Sequence, residues 1–229
     1  MSRIYVVRHG EASWHAEDYD QLTEKGHAQA RAVGAELAAR GIRPDVVVSG
    51  TLRRHRETAA GLLEGAGWDW DHAVAEDDRW NELDADDIVR AHAPEHATMT
   101  AALAHFAGRG AAGDFDALFG EAMVRWFETG SGYLESYREF TQRVEDVLGA
   151  LVSGLAPLGQ AVVVTSGGVG NSIASQVLGG GAKTWMRIFG TFPNTGIMRL
   201  SHSGERGLRL LSLGEISHLE QRPELLSER

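Results

Sequence analysis

Three short stretches carry residue types that can handle a phosphate group. Arg8-His9-Gly10-Glu11 sets an imidazole beside a guanidinium, and Ser49-Gly50-Thr51-Leu52-Arg53-Arg54 ends in two more guanidiniums. Thr165-Ser166-Gly167-Gly168-Val169-Gly170-Asn171-Ser172 is a glycine-rich turn. An imidazole can act as nucleophile or proton carrier near neutral pH. Guanidinium groups bind phosphate oxygens in pairs, and backbone N–H groups at a glycine turn opening a helix favour anions. Each stretch alone has an ordinary alternative: a strand-end histidine, solvated arginines, a common strand-to-helix turn. Their joint occurrence is harder to dismiss, because all three follow expected strands, and sites in open α/β sheets lie at the carboxyl ends of strands.

The elements that must position these residues follow from hydrophobic patterning. Arg3-Ile4-Tyr5-Val6-Val7 is a short apolar, β-branched run that reads as a buried strand. Thr23 is the expected N-cap of a helix carrying Ala28, Ala32, Val33 and Leu37 at helical spacing and ending at Gly41. Asp45–Ser49 is a second strand, Arg53–Leu63 a second helix closed by Gly65, and a further strand is expected near Ala73–Ala75. From about 84 to 133 the alternation stops; this stretch, rich in alanine, histidine and acid, reads as a helical cap inserted in the domain. A helix from about Ser136 to Leu155 follows, with Phe140, Val144, Val147, Leu148 and Leu151 on one face. Ala161–Thr165 is a third strand, followed by a helix through Leu178 and a hairpin from Ile197–Ser201 and Leu208–Leu213. Repeated strand–helix alternation implies an α/β fold: a three-layer α/β/α sandwich around a mostly parallel sheet.

Composition bounds the chemistry. The 229 residues have no cysteine, which removes thiolate catalysis, disulfides and cysteine-ligated zinc together. Lysine and arginine total 22 against 32 acidic residues, a net charge of -10 that disfavours nucleic acid and anionic membranes as partners. Converging arginines can still make a local positive pocket for a small anion. No apolar run is long enough for a bilayer, and the charged N-terminus lacks a signal-peptide core, so a cytoplasmic location is expected.

The motifs together resemble the histidine phosphatase superfamily, also called the phosphoglycerate mutase-like family. The matching pieces are Arg8-His9-Gly10-Glu11, Leu22-Thr23-x-x-Gly26-x-x-Gln29-Ala30, and Ser49-x-x-Leu52-x-Arg54-x-x-Glu57-Thr58-Ala59. Asn81-Glu82, the glycine turn after Val164 and Pro193-Asn194 also match. The resemblance spans Arg3 to about Leu219 and implies one phosphoglycerate mutase-like domain over residues 1–229. It implies that His9 attacks phosphorus to form a phosphohistidine that water hydrolyses, with Arg8 and Arg54 holding the phosphate and Glu82 protonating the leaving oxygen. Positive neighbours should also keep the imidazole neutral. This scheme requires no metal or other cofactor, and its expected partner is a small phosphorylated substrate; a homodimer is left open.

The chain departs from the family at one pocket position. Where the family pattern carries a second phosphate-pocket histidine before glycine, this chain has Ser166-Gly167. Serine can donate one hydrogen bond but brings no charge, and losing one transition-state donor typically costs about 10²–10³ in rate. Ser166 and Gly167 are therefore expected in the phosphate pocket, with weakened turnover. His55 and His202 are the other histidines considered for the missing role, and the sequence places neither. A metal-independent phosphomonoesterase is the leading reading, beside a pseudoenzyme that binds phosphorylated ligands without turnover. A phosphoglycerate mutase-type phosphotransferase is a lesser alternative: His15 replaces the Asn that follows Trp14 in mutases, and only six residues then precede Leu22. A serine nucleophile elbow is disfavoured because Val164 stands where Gly-x-Ser-x-Gly needs glycine. His92 and His96 read as solvated cap surface, with Pro94 between them. Trp126, Phe127 and Tyr133 read equally as pocket lining or as packing.

Overall fold

The computed structural model describes residues 1–13, 20–108 and 112–227, apart from the side chain of Ala112. By internal contacts the chain divides into two compact units, one of Met1–Glu82 with Val144–Arg229 and the other of Leu83–Arg143. The larger unit begins with β1 (Ser2–Arg8), α1 (Glu24–Ala39), β2 (Val46–Ser49), α2 (Arg53–Ala66) and β3 (Ala75–Glu76). The smaller holds α3 (Ala85–His92), α4 (Met99–Ala107), α5 (Ala112–Glu128) and the start of α6 (Tyr137–Gly154). Then come β4 (Gln160–Thr165), α7 (Gly167–Val177), α8 (Ala182–Arg187), β5 (Ile197–Ser203), β6 (Gly207–Glu215) and α9 (Ser217–Glu220).

Among the described residues, six strands form one mixed sheet in the order β3-β2-β4-β1-β5-β6. β3, β2, β4 and β1 pair in parallel, whereas β5 and β6 form the expected hairpin and join β1 antiparallel. This is the anticipated α/β/α architecture, with an antiparallel edge. Central β4 is buried along Ala161–Thr165, which is why its sequence is an unbroken Ala-Val-Val-Val run and not an alternating one. Val7, Val47, Val162, Val164 and Ile197 from the sheet pack with Val33, Leu37, Ala59 and Leu62 from the helices in one apolar core. Fully burying a side chain of this kind contributes roughly 1.5–3 kcal/mol.

Thr23 caps α1 as expected, its hydroxyl accepting from Gly26 N at 3.0 Å. α2 runs past Gly65 and ends at Gly67, whose φ of 60° suits the left-handed stop. Gly65 serves packing instead: a Cβ there would collide with the Arg31 carbonyl of α1. The strand expected near Ala73–Ala75 lies at Ala75–Glu76.

In the smaller unit, Trp126 is 1% exposed and donates from Nε1 to the Glu135 carbonyl at 2.9 Å. Its ring packs against Phe127, Tyr137 and Phe140. Trp126 and Phe127 are thus packing residues of this unit. His96 corrects an expectation: it is buried, not solvated, with its ring against His105 and Phe106. His92 faces Glu121 at 3.6 Å. Among the described residues no helix is long and apolar enough to cross a membrane.

Candidate functional site

The parallel strands bring their carboxyl ends together on one edge of the sheet. Arg8 ends β1 opposite Thr165 of β4, and Ser49 ends β2 opposite Val164. The three chemistry-bearing stretches follow these ends directly, so register alone gathers them. His9 N donates to the Thr165 carbonyl at 2.8 Å and Gly50 N to the Val164 carbonyl at 3.1 Å, extending the ladder into both loops.

His9 is 7% exposed. Its Nδ1 lies 2.7 Å from the Gly10 carbonyl oxygen, which can only accept, so Nδ1 carries the proton and Nε2 keeps its lone pair. Burial, followed by the charges of Arg54 and Arg8 and the proximity of His55, holds the His9 pKa well below the usual histidine value; the Gly10 carbonyl opposes this only in part. The imidazole is therefore neutral at physiological pH, as adjacent positive charge led one to expect. Its backbone is fixed from a third direction: Asn194 Nδ2 donates to the His9 carbonyl at 3.1 Å, and Thr195 N donates to the Arg8 carbonyl at 3.1 Å.

Arg8 donates from Nη1 to the Phe192 carbonyl at 2.7 Å, and its side chain runs beside Gly167, where an added Cβ would lie 3.5 Å from Nε. Arg54, 8% exposed, projects from the first turn of α2 and donates from Nη1 to Asp20 Oδ1 at 2.6 Å. Asp20 also accepts from Arg53 N at 2.6 Å, so one carboxylate both caps α2 and orients its arginine. Thr58 joins the two loops: it accepts from Gly10 N at 3.0 Å and donates to the Arg54 carbonyl at 2.7 Å.

Ser166 is fully buried at the N-cap of α7. Its hydroxyl does not cap the helix; it lies 2.6 Å from Nε2 of His55, which is also fully buried and whose ring centroid sits 5.7 Å from that of His9. His55 is held well below the usual histidine pKa by burial and then by Arg54, opposed in part by a hydrogen bond with the Asn81 side chain. His202 is elsewhere: it pairs with Ser2 at the opposite end of β1.

Glu82 accepts at Oε2 from Gly168 N at 3.0 Å, so the second N–H of α7 faces this carboxylate. The segment leading to it is anchored twice. Thr165 Oγ1 donates to the Trp80 carbonyl at 2.6 Å, and the Asn81 amide exchanges hydrogen bonds with Thr51 N and Oγ1, both at 2.8 Å.

All predicted site residues thus occupy one strand-end region of the larger unit: His9, Arg8, Arg54, Ser166, Gly167 and Glu82. Sequence reasoning named Thr58 only as part of a motif and gave no role to it or to Asp20, which hold the histidine loop and the arginine respectively, and left His55 unplaced. The segment Trp14–Tyr19, which bore on the mutase question, lies outside the described residues.

A buried neutral histidine with two arginines at the strand ends of an α/β sheet defines a protein suited to small oxyanions. The chain belongs to the histidine phosphatase superfamily: the model for branch 1 of that superfamily matches residues 4–215. Curated relatives include 2,3-bisphosphoglycerate-dependent phosphoglycerate mutases from Mesorhizobium japonicum and Thermobifida fusca. The first is 38% identical over 96 residues, covering 38% of this chain and 46% of the relative. The second is 46% identical over 77 residues, covering 31% of each. The chain therefore spans less than half the length of these relatives. A mycobacterial glucosyl-3-phosphoglycerate phosphatase matches with a TM-score of 0.66 at 24% identity, over 94% of this chain and 99% of that one. Phosphoserine phosphatase from Entamoeba histolytica, solved with phosphoserine, matches with a TM-score of 0.67 at 19% identity, over 96% and 100%. At these identities the likeness concerns the fold.

Proposed function

We propose that this chain is a cytoplasmic, metal-independent phosphatase of a small phosphomonoester, acting through a phosphohistidine at His9. In the first step His9 Nε2 attacks phosphorus; a P–N bond forms, the ester P–O bond breaks, and Glu82 gives its proton to the departing oxygen. In the second, water attacks phosphorus while the Glu82 carboxylate takes its proton, the P–N bond breaks, and phosphate leaves. Arg8 and Arg54 neutralise charge on the equatorial oxygens throughout. The observation that carries this reading is the state of His9: buried, in the field of the Arg54 and Arg8 charges, neutral, and with Nδ1–H committed to the Gly10 carbonyl so that Nε2 is the nucleophile.

The test is hydrolysis of p-nitrophenyl phosphate in EDTA by wild type and His9→Ala. Turnover by the wild type that falls at least 10³-fold in the variant supports the proposal, and equal rates overturn it. Ser166 favours a second reading, a binder of phosphorylated ligands without turnover, which efficient wild-type hydrolysis would sink. The mutase-type phosphotransferase, suggested by the relatives' names, predicts phosphoryl transfer to a phosphoglycerate acceptor in preference to water.

A further inference from the structure

The buried contact between α2 and the head of α7 joins residues 111 positions apart in sequence, His55 and Ser166. Both are fully buried, although a strand-end serine and a helix-face histidine would each ordinarily be solvated, and the His55 ring lies beside that of His9. At 2.6 Å their hydrogen bond is shorter than the usual N···O range of 2.7–3.2 Å. The ring's place is moulded by its surroundings: a Cβ on Gly50 would collide with His55 Nδ1 and would lie 2.7 Å from Asn81 Oδ1. Ser166 occupies the N-cap position of α7 yet its hydroxyl makes no cap bond, so its orientation answers to His55 and not to its own helix.

We propose that His55 is a positioning residue that acts through Ser166: its Nε2–H is accepted by Ser166 Oγ, leaving the serine's own hydrogen to be donated to a phosphate oxygen at His9. The pair orients, by contact between two elements, the one donor that serine keeps at this position. It supplies a hydrogen bond and no charge, since burial and Arg54 keep the imidazole neutral. It also changes the expected effect of Ser166→His. That imidazole would enter a buried space already filled by His55, so the single variant should lose function instead of gaining it.

The role assigned to the pair rests on the phosphate-binding reading of the His9 site, and the experiment separates the two. Orthovanadate affinity is measured for wild type, His55→Ala, His55→Gln, Ser166→Ala, His55→Ala/Ser166→Ala, Ser166→His and His55→Ala/Ser166→His, with near-ultraviolet circular dichroism confirming folding. His55→Ala and Ser166→Ala should each weaken binding about tenfold or more, and their double variant should be no worse than either alone. His55→Gln, which can place an amide N–H near the Nε2 position, should recover part of the loss. The exchanged pair should bind at least tenfold tighter than Ser166→His alone. Independent effects of the two alanine variants, or no benefit from the exchange, overturn the pairing. Asn81 Oδ1 lies near His55 Nδ1 and is the competing acceptor, so a ¹⁵N spectrum of the wild-type vanadate complex decides: His55 should be protonated at Nε2, and protonation at Nδ1 overturns the relay. If the wild type turns over no phosphoester but the vanadate cycle holds, the phosphatase proposal fails and the pairing stands. If the wild type binds no vanadate, both fail.

Discussion

Thr58→Val removes one oxygen from the junction between the histidine loop and the arginine helix while keeping side-chain volume. Thr58 is fully buried, and its hydroxyl is the acceptor for Gly10 N and the donor to the Arg54 carbonyl. Valine leaves the Gly10 N–H, in a residue that is itself buried, facing a methyl group. A buried donor left without a partner costs about 1–3 kcal/mol. For a chain of 229 residues, each kcal/mol shifts Tm by roughly 2–4 °C, so a fall of about 2–12 °C is expected. Gly10 follows the candidate nucleophile directly, so the same change should also lower kcat more than it changes KM. Thr58→Ser is the control: it keeps the oxygen and loses one methyl, worth about 0.8 kcal/mol. The assay is thermal unfolding by circular dichroism beside p-nitrophenyl phosphate turnover. A valine variant as stable and as active as the wild type would refute the reasoning, as would a serine variant that loses as much as valine.

Further outcomes follow from other parts of the structure. His9, His55 and His218 all have pKa values below the ordinary 6.5, each chiefly through burial, and His218 falls to about 4. The unfolded chain therefore takes up these protons first, so stability should be full above about pH 6.5 and fall as pH drops toward 4, by roughly 3 kcal/mol from His218 alone. His218→Gln, which can still donate to Thr195 Oγ1, should flatten part of this slope in denaturant titrations at pH 7.5, 5.5 and 4.5. Gly50→Ala should destabilise by about 1–3 kcal/mol, read from the denaturation midpoint, because its methyl has His55 and Asn81 in its path. Asp20→Asn removes the negative charge paired with Arg54, so inhibition by inorganic phosphate should strengthen about threefold to tenfold, with a small loss of stability from weaker capping of α2.

What was legible in the sequence was whatever short-range pattern encodes. Apolar runs marked β1, β2 and β4, the Thr23 cap marked the start of α1, and the residues just past each strand marked the site. Parallel register then did the gathering, which is why Arg8, His9, Arg54 and Ser166 could be named together. What was not legible depends on packing between distant segments. Gly65 looked like a helix stop, but it is glycine because α1 passes against it, and the true stop is Gly67. His96 looked like cap surface because nothing local shows that His105 and Phe106 fold over it. The His55–Ser166 contact and the Asp20 clamp on Arg54 each join segments far apart in the chain, and no motif spacing announces them.

The central claim is that His9 carries the phosphoryl group. The most direct measurement is to quench wild-type protein and His9→Ala within milliseconds of mixing with a ³²P-labelled phosphomonoester, then map the label by alkaline digestion and mass spectrometry. The account predicts an acid-labile, alkali-stable phosphoramidate on His9 in the wild type and no covalent label in the variant. Label on another residue, or turnover with no phosphoenzyme in either protein, would contradict it.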